Sequence, residues 1–133
     1  MRLSSVAAWL LFGAVWGATI STARAECNVG WFAEVTNGYC DGCQYKGTID
    51  TGRNQDCERA FQQPGVRKNE DVVYLGARIL QRAKHGIAGA SGATVAYHPN
   101  KDFVGTDQFV LEMSYKQNGK PGKFTARYDV NVK

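Results

Sequence analysis

The sequence predicts a mainly β protein, an antiparallel two-sheet sandwich that follows a removable leader. Three observations predict it. The last part of the chain alternates apolar and polar residues with a period of two, the pattern of strands with one face buried and one in water. Gly, Asn, Asp and Pro recur at short intervals, as turns between short strands require. No helical crossover separates the strand-like runs, and short strands with frequent turns are the signature of two packed sheets.

The first 25 of the 133 residues read as a leader. Arg2 supplies a positive charge and Leu3 to Ile20 an apolar stretch, and Ala23-Arg24-Ala25 gives the small-x-small pattern that signal peptidase accepts. The apolar run approaches spanning length, so a retained anchor is the competing reading; the cleavage pattern favours removal. The expected mature chain is then one domain, Glu26 to Lys133, periplasmic or secreted, with no stable membrane insertion. Losing Arg2 and Arg24 lowers the formal net charge from +4 to +2. So small a charge on scattered residues makes no basic stripe, and nucleic acid is not an expected partner.

Four cysteines, Cys27, Cys40, Cys43 and Cys57, all fall early in that chain. An even number behind an export signal reads as two disulfides. Three connectivities are open. Cys40–Cys43 is the least favoured, because closing so short a loop removes little entropy from the unfolded chain. The "CDGC" spacing invites a redox reading, but "QYKGTIDTG" after it has no helical period to supply a helix N-terminus. Gln44 stands where a covalently bound haem needs His. The C-x12-C-x2-C-x13-C spacing also lacks the two short pairs of a structural zinc site. From Cys27 to Gly65 the chain is Gly-rich and poorly periodic: Val29 to Val35 reads as a short strand, and Cys57 to Gln63 as a turn of helix ended by Pro64-Gly65. This disulfide-stapled segment is expected to pack on one edge of the sheet.

Beyond Asp71 the strands become regular. Val72 to Arg82 alternates through Val73, Leu75, Ala77 and Ile79, with Gly76 as a bulge; a helix is the alternative, against which the β-branched residues and Gly76 count. "KHG" and "GASGA" read as turns around Ile87-Ala88, and Thr94 to Tyr97 as a short strand. Phe109, Leu111, Met113 and Tyr115 share one face of the next strand. Phe124, Ala126, Tyr128, Val130 and Val132 share one face of the last. "KQNGKPG" between them is a hairpin turn, since Asn118-Gly119 accepts positive φ.

The stretch "YHPNKDFVGTDQF" then reads as a corner between strands. Tyr97 points its ring inward while its hydroxyl finds a backbone partner. Pro99 ends ladder pairing. Phe103 plugs the core beneath the loop, and Gly105 takes a conformation closed to other residues. Asp107 accepts hydrogen bonds from loop amides as Phe109 re-enters the core.

The matched positions Tyr97, Pro99, Phe103, Gly105, Asp107 and Phe109, preceded by Lys84-His85-Gly86 and followed by an alternating strand pair, resemble the cadherin-like and immunoglobulin-like modules of bacterial secreted proteins. The resemblance covers Val72 to Val132. It implies a β-sandwich with a structural, adhesive or binding role and no catalysis. Such modules often come in tandem, and no internal repeat is visible here. Lys residues in "KQNGKPG" stand where a calcium ligand would help, and Asp102 and Asp107 are the only nearby carboxylates, so no metal or other cofactor is expected.

Catalytic motifs are absent from the sequence. His85 and His98 fall in no metal-binding spacing, no G-x-S-x-G is present, and "GIAGASG" does not open an apolar helix. The expectation is a non-enzymatic module contacting an unknown protein or glycan, with Tyr45, Arg53, His98 and Lys101 as exposed contact candidates. A thiol–disulfide protein using Cys40 and Cys43 is the alternative.

Overall fold

A computed structural model of the chain describes residues 26–31, 40–60 and 72–133. The leader expected over 1–25, the later part of the strand expected over 29–35, and the end of the helical turn expected over 57–63 lie outside them. The described residues form eight strands and no helix: β1 (Asn28–Trp31), β2 (Gln44–Thr51), β3 (Cys57–Ala60), β4 (Val72–Gln81), β5 (Gly86–Ser91), β6 (Thr94–Pro99), β7 (Gly105–Gln117) and β8 (Lys120–Val132). They make a five-stranded sheet in the order β1-β2-β8-β7-β4 and a three-stranded sheet in the order β3-β6-β5.

The long hairpin β7–β8 is the backbone of the larger sheet, and its register explains the alternation in the sequence. Phe109 faces Tyr128, Leu111 faces Ala126, and Met113 faces Phe124. All six are buried, so both strands turn the same alternate residues inward. Asn118 and Gly119 have φ of 51° and 78°, the two left-handed residues of a tight hairpin turn between Gln117 and Lys120. Val95, Tyr97 and Cys57 from the smaller sheet complete one core with the residues of the larger. Tyr97 lies parallel to Phe109 at 6.3 Å and Phe109 to Tyr128 at 5.1 Å, so an aromatic stack runs from one sheet into the other.

Several expectations are corrected. The "QYKGTIDT" segment is a core strand of the larger sheet, and it runs parallel to β8, so the sheet is not purely antiparallel. Its inward residues are Tyr45, Gly47, Ile49 and Thr51. Gly47 has no side chain because Tyr128 occupies the space: a Cβ there would meet the ring at 2.6 Å. A strand whose inward set contains Gly and Thr has too weak an apolar period to announce itself. Cys57–Ala60 is strand β3, paired with β6, and not a helical turn. "GIAGAS" is strand β5, and the turn falls only at Gly92-Ala93.

Strand β4 is a strand as expected, with the irregularity at Gly76; the expected inward face holds for Ala77 and Ile79 but not for Val73 and Leu75. The register with β7 slips between Tyr74 and Gly76, leaving Leu75 as the extra residue. Before the bulge Val72 and Tyr74 lean toward the core; after it Ala77 and Ile79 do. Val73 and Leu75 consequently remain 48% and 55% exposed. A single inserted residue exchanges the two faces, which a fixed period of two cannot register.

The disulfides are Cys27–Cys57 and Cys40–Cys43. The first joins the residue ahead of β1 to the first residue of β3, and so ties an edge of one sheet to an edge of the other. The second is the pairing the sequence disfavoured. Loop entropy ranks how much a bridge stabilises and does not decide which cysteines meet. Local geometry decides that: Gly42, at φ 77°, reverses the chain and leaves the two Cα atoms 5.4 Å apart, within bridging range.

Candidate functional site

The corner is assembled from both sheets. Tyr97 projects from β6 into the core, and Asp107 enters β7 two residues after Gly105, on the inward face. Asp107 Oδ1 accepts from the backbone amides of Lys84 and Gln108, at 2.9 and 2.8 Å. Its Oδ2 accepts from the amide of His85 and from the Tyr97 hydroxyl, both at 2.9 Å. Tyr97 also reaches the His85 carbonyl at 3.3 Å. Burial pushes the Asp107 pKa up, but the three amides and the Tyr97 hydroxyl outweigh it and hold the carboxyl below its ordinary value. Burial, and then the Asp107 carboxylate, push the Tyr97 phenol well above its ordinary value. At neutral pH the pair is therefore a charged acceptor and a neutral donor.

The other corner residues sit where the sequence placed them. Pro99 is the last residue of β6, opposite Gly86. Phe103 packs on the core and lies flat on the His85 ring, centroids 4.4 Å apart. Gly105 takes φ 138°, with Phe103 already 3.4 Å from where its Cβ would stand. Tyr97 and Asp107 tie the β4–β5 loop to the start of β7, Phe103 and Gly105 pack together in the β6–β7 connection, and the carboxylate is saturated by protein donors. The corner is a clasp, and it leaves Asp107 no acceptor capacity for chemistry.

Beside the clasp a cleft of about 600 Å³ opens on the outer face of the larger sheet, lined among others by Thr48, Asp50, Thr106, Gln108, Asp129 and Asn131. These are the outward residues of β2, β7 and β8; Thr48 and Gln108 both face Asp129 across the ladder, and Asp50 and Thr106 both face Asn131. Gln108 donates to Asp129 at 2.8 Å, which orients its amide. The result is a polar surface with donors and acceptors fixed by a rigid sheet, suited to hydrogen-bonding a polar partner. Sequence reading passed these residues over, although the outward half of the alternating pattern was their signal. Among the described residues no three His, Cys, Asp or Glu side chains converge as a metal site would require.

The four exposed contact candidates separate. Tyr45 is buried on β2 and is corrected from a surface residue to a core one. Arg53 and Lys101 are exposed, each one residue ahead of a partner in a loop-to-loop contact. There Asn54 Nδ2 donates to Asp102 Oδ1 at 3.0 Å, and the Asp102 amide donates to Asn54 Oδ1 at 2.7 Å. His98 lies half-buried on β6, 3.0 Å from the Asp56 carboxylate and 3.6 Å from that of Glu58.

At the opposite end of the larger sheet a second cleft, of about 570 Å³, is lined by Cys40, Asp41, Tyr115, Lys120 and Pro121, together with the hairpin residues Gln117 and Asn118. The Asp41-Gly42 turn is pinned to β8. Gly42 donates to the Lys123 carbonyl at 2.7 Å, the Lys123 amide to Asp41 at 2.9 Å, and the Thr125 amide to the Cys43 carbonyl at 2.9 Å.

Compared with known proteins, the chain matches no family model and no curated protein.

Proposed function

We propose that the chain is an immunoglobulin-like, cadherin-like module, exported to the bacterial periplasm or beyond, which acts by holding a protein or glycan partner, with no catalytic role for its clasp or its polar cleft. The observation that carries this reading is the Tyr97–Asp107 clasp, in which two residues of the resembling motif bind each other and the β4–β5 loop. The strand order supports it. Setting β1 aside, seven strands divide into β5-β6-β3 and β4-β7-β8, the three-strand cores of an immunoglobulin-like sandwich, with β2 added parallel to β8. Two closed disulfides favour an oxidising compartment, and no helix among the described residues is long and apolar enough to cross a membrane. The partner surface in this reading is the polar cleft over Thr48, Gln108 and Asp129.

The test is fractionation followed by crosslinking. Cells producing the full chain should deliver it to the envelope or medium with its N-terminus at Glu26, and a crosslinker should join it there to one envelope component. Replacing both Gln108 and Asp129 with Ala should abolish the crosslink while the far-ultraviolet circular dichroism is unchanged. A chain that stays in the cytoplasm, or a crosslink indifferent to the double substitution, overturns the reading.

A further inference from the structure

The two disulfides differ in ways that stability does not explain. Cys57 is fully buried and Cys27 nearly so, and their bridge joins the sheets across 30 residues of sequence. Cys40 is exposed, its bridge spans 3 residues, and it lines the cleft at the far end of the sheet. A bridge of that reach constrains the unfolded chain little, and exposed disulfides are the ones open to attack by thiols.

Its surroundings are organised for exchange. The Tyr45 hydroxyl lies 3.5 Å from Cys40 Sγ, and since a disulfide sulfur carries no proton, the hydroxyl is the donor. The same hydroxyl accepts from the Cys40 amide at 3.2 Å, which fixes its position. Lys120 supplies a cation to the cleft. Asp41, the carboxylate beside the pair, is engaged by the Lys123 amide. Burial, then Tyr45 and Asp41, raise the pKa of the neighbouring Tyr115, which therefore stays neutral when the thiols ionise. The three hydrogen bonds to β8 do not involve sulfur, so the turn keeps its shape when the bridge opens and holds both thiols ready to close again.

The geometry points to Cys40–Cys43 as a thiol–disulfide exchange site that takes a dithiol peptide into the Cys40 cleft. This inference stands apart from the binding reading and uses a different end of the molecule. A partner thiolate attacks the exposed Cys40 sulfur, the S–S bond breaks, and Cys43 leaves as a thiolate that takes up a proton. The partner's second thiolate then attacks its own sulfur in the mixed disulfide and releases Cys40 as a thiolate, which keeps the Tyr45 hydrogen bond. Two electrons pass from the dithiol to the chain; of its two protons one ends on Cys43 and the other goes to water while Cys40 stays a thiolate, and the partner departs with a disulfide. The Tyr45 hydroxyl, already 3.5 Å from this sulfur, stabilises the departing thiolate as a hydrogen-bond donor.

The test begins with the oxidised full chain in dilute dithiothreitol, quenched with iodoacetamide and mapped by mass spectrometry. Cys40 and Cys43 should be labelled at least about tenfold faster than Cys27 and Cys57, with near-ultraviolet circular dichroism unchanged. A synthetic two-cysteine peptide, supplied as its disulfide to the Cys43→Ser variant, should be trapped on Cys40. In that same variant, adding Tyr45→Phe should move the pH profile of Cys40 alkylation upward and slow the reaction at pH 7 severalfold. Equal opening rates for the two disulfides, failure to trap the peptide, or a profile unmoved by Tyr45→Phe each overturns the inference.

Discussion

Replacing Asp107 with Ala should cost about 3–4 kcal/mol of folding stability, most of what a small domain can lose. The figure comes from the clasp itself. The carboxylate accepts four hydrogen bonds and is only 9% exposed. Bonds to a charged acceptor contribute about 1.5–3 kcal/mol each, so simple addition gives a value near the whole stability of the domain. Two corrections reduce it. Lys84 and His85 are exposed residues whose freed amides can reach water, and the Tyr97 hydroxyl retains the His85 carbonyl. Tyr97→Phe, which removes one charge-assisted bond and one longer one, should cost about 1.5–2 kcal/mol. Asp107→Asn should be nearly as costly as Ala, because its amide nitrogen would face the His85 N–H or the Lys84 and Gln108 N–H groups.

The assay is urea denaturation under non-reducing conditions, followed by near-ultraviolet circular dichroism across pH 2–11. The folded chain binds the Asp107 proton less readily than the unfolded chain does, since the clasp lowers this pKa. The clasp therefore contributes fully above the unfolded value of about 4, and its contribution drains away as pH falls through the folded value. Tyr97 has the opposite shift: its contribution is complete below about 10 and declines as the unfolded phenol ionises. Asp107→Ala should flatten the acid limb of the stability profile, and Tyr97→Phe the alkaline one. The double variant should fall short of additivity by about 1–2 kcal/mol. Losses under about 0.5 kcal/mol for Asp107→Ala, or additive effects, would refute the clasp as the element that fixes the corner.

Three further outcomes follow from the packing. Gly47→Ala should cost about 2–3 kcal/mol by the same denaturation, because its Cβ would press on the buried Tyr128 ring at 2.6 Å and on the Gly30 carbonyl at 3.0 Å. Leu75→Lys should stay within about 0.5 kcal/mol of the parent, since the bulge puts this side chain in water; a large loss would restore the unbroken alternation. Replacing Cys27 and Cys57 together with Ser should cost about 3.6 kcal/mol by loop entropy, against about 1.6 for Cys40 and Cys43. Near-equal costs would contradict that ranking.

The legible part of the fold was the part written in local signals. β7 and β8 declared themselves because from Phe109 and Phe124 onward their inward residues are apolar and most of their outward ones polar, and because Asn118-Gly119 fits a single kind of turn. The corner was legible in outline, as an Asp107 that accepts from loop amides, but its bond to the Tyr97 hydroxyl and the identity of those amides, from Lys84 and His85 some twenty residues earlier, were not. β2 was hidden by Gly47, whose role depends on a Tyr some eighty residues away. The face of β4 was hidden by a bulge, and the parallel placement of β2 beside β8 by the absence of any sequence rule for which distant strands become neighbours. The polar cleft was legible only residue by residue, as the outward half of the alternation: its residues come from three strands and meet only once the register is known.

The distribution of restraints along β7 bears on what the chain needs from each disulfide. Cys57 stands opposite Tyr97 in the ladder, so the buried bridge and the Asp107 clasp reinforce the same end of the sandwich. Eight residues along β7, about 27 Å at strand rise, Tyr115 borders the Cys40 cleft. That end already has a hairpin whose turn fits its backbone and three hydrogen bonds from the cysteine turn to β8. Removing the Cys40–Cys43 bridge breaks none of these, whereas removing Cys27–Cys57 releases the edge of one sheet from the other beside the clasp. A fold secured at one end by a buried bridge and a saturated carboxylate can tolerate a disulfide that opens at the other. That asymmetry is what the proposed exchange at Cys40–Cys43 requires.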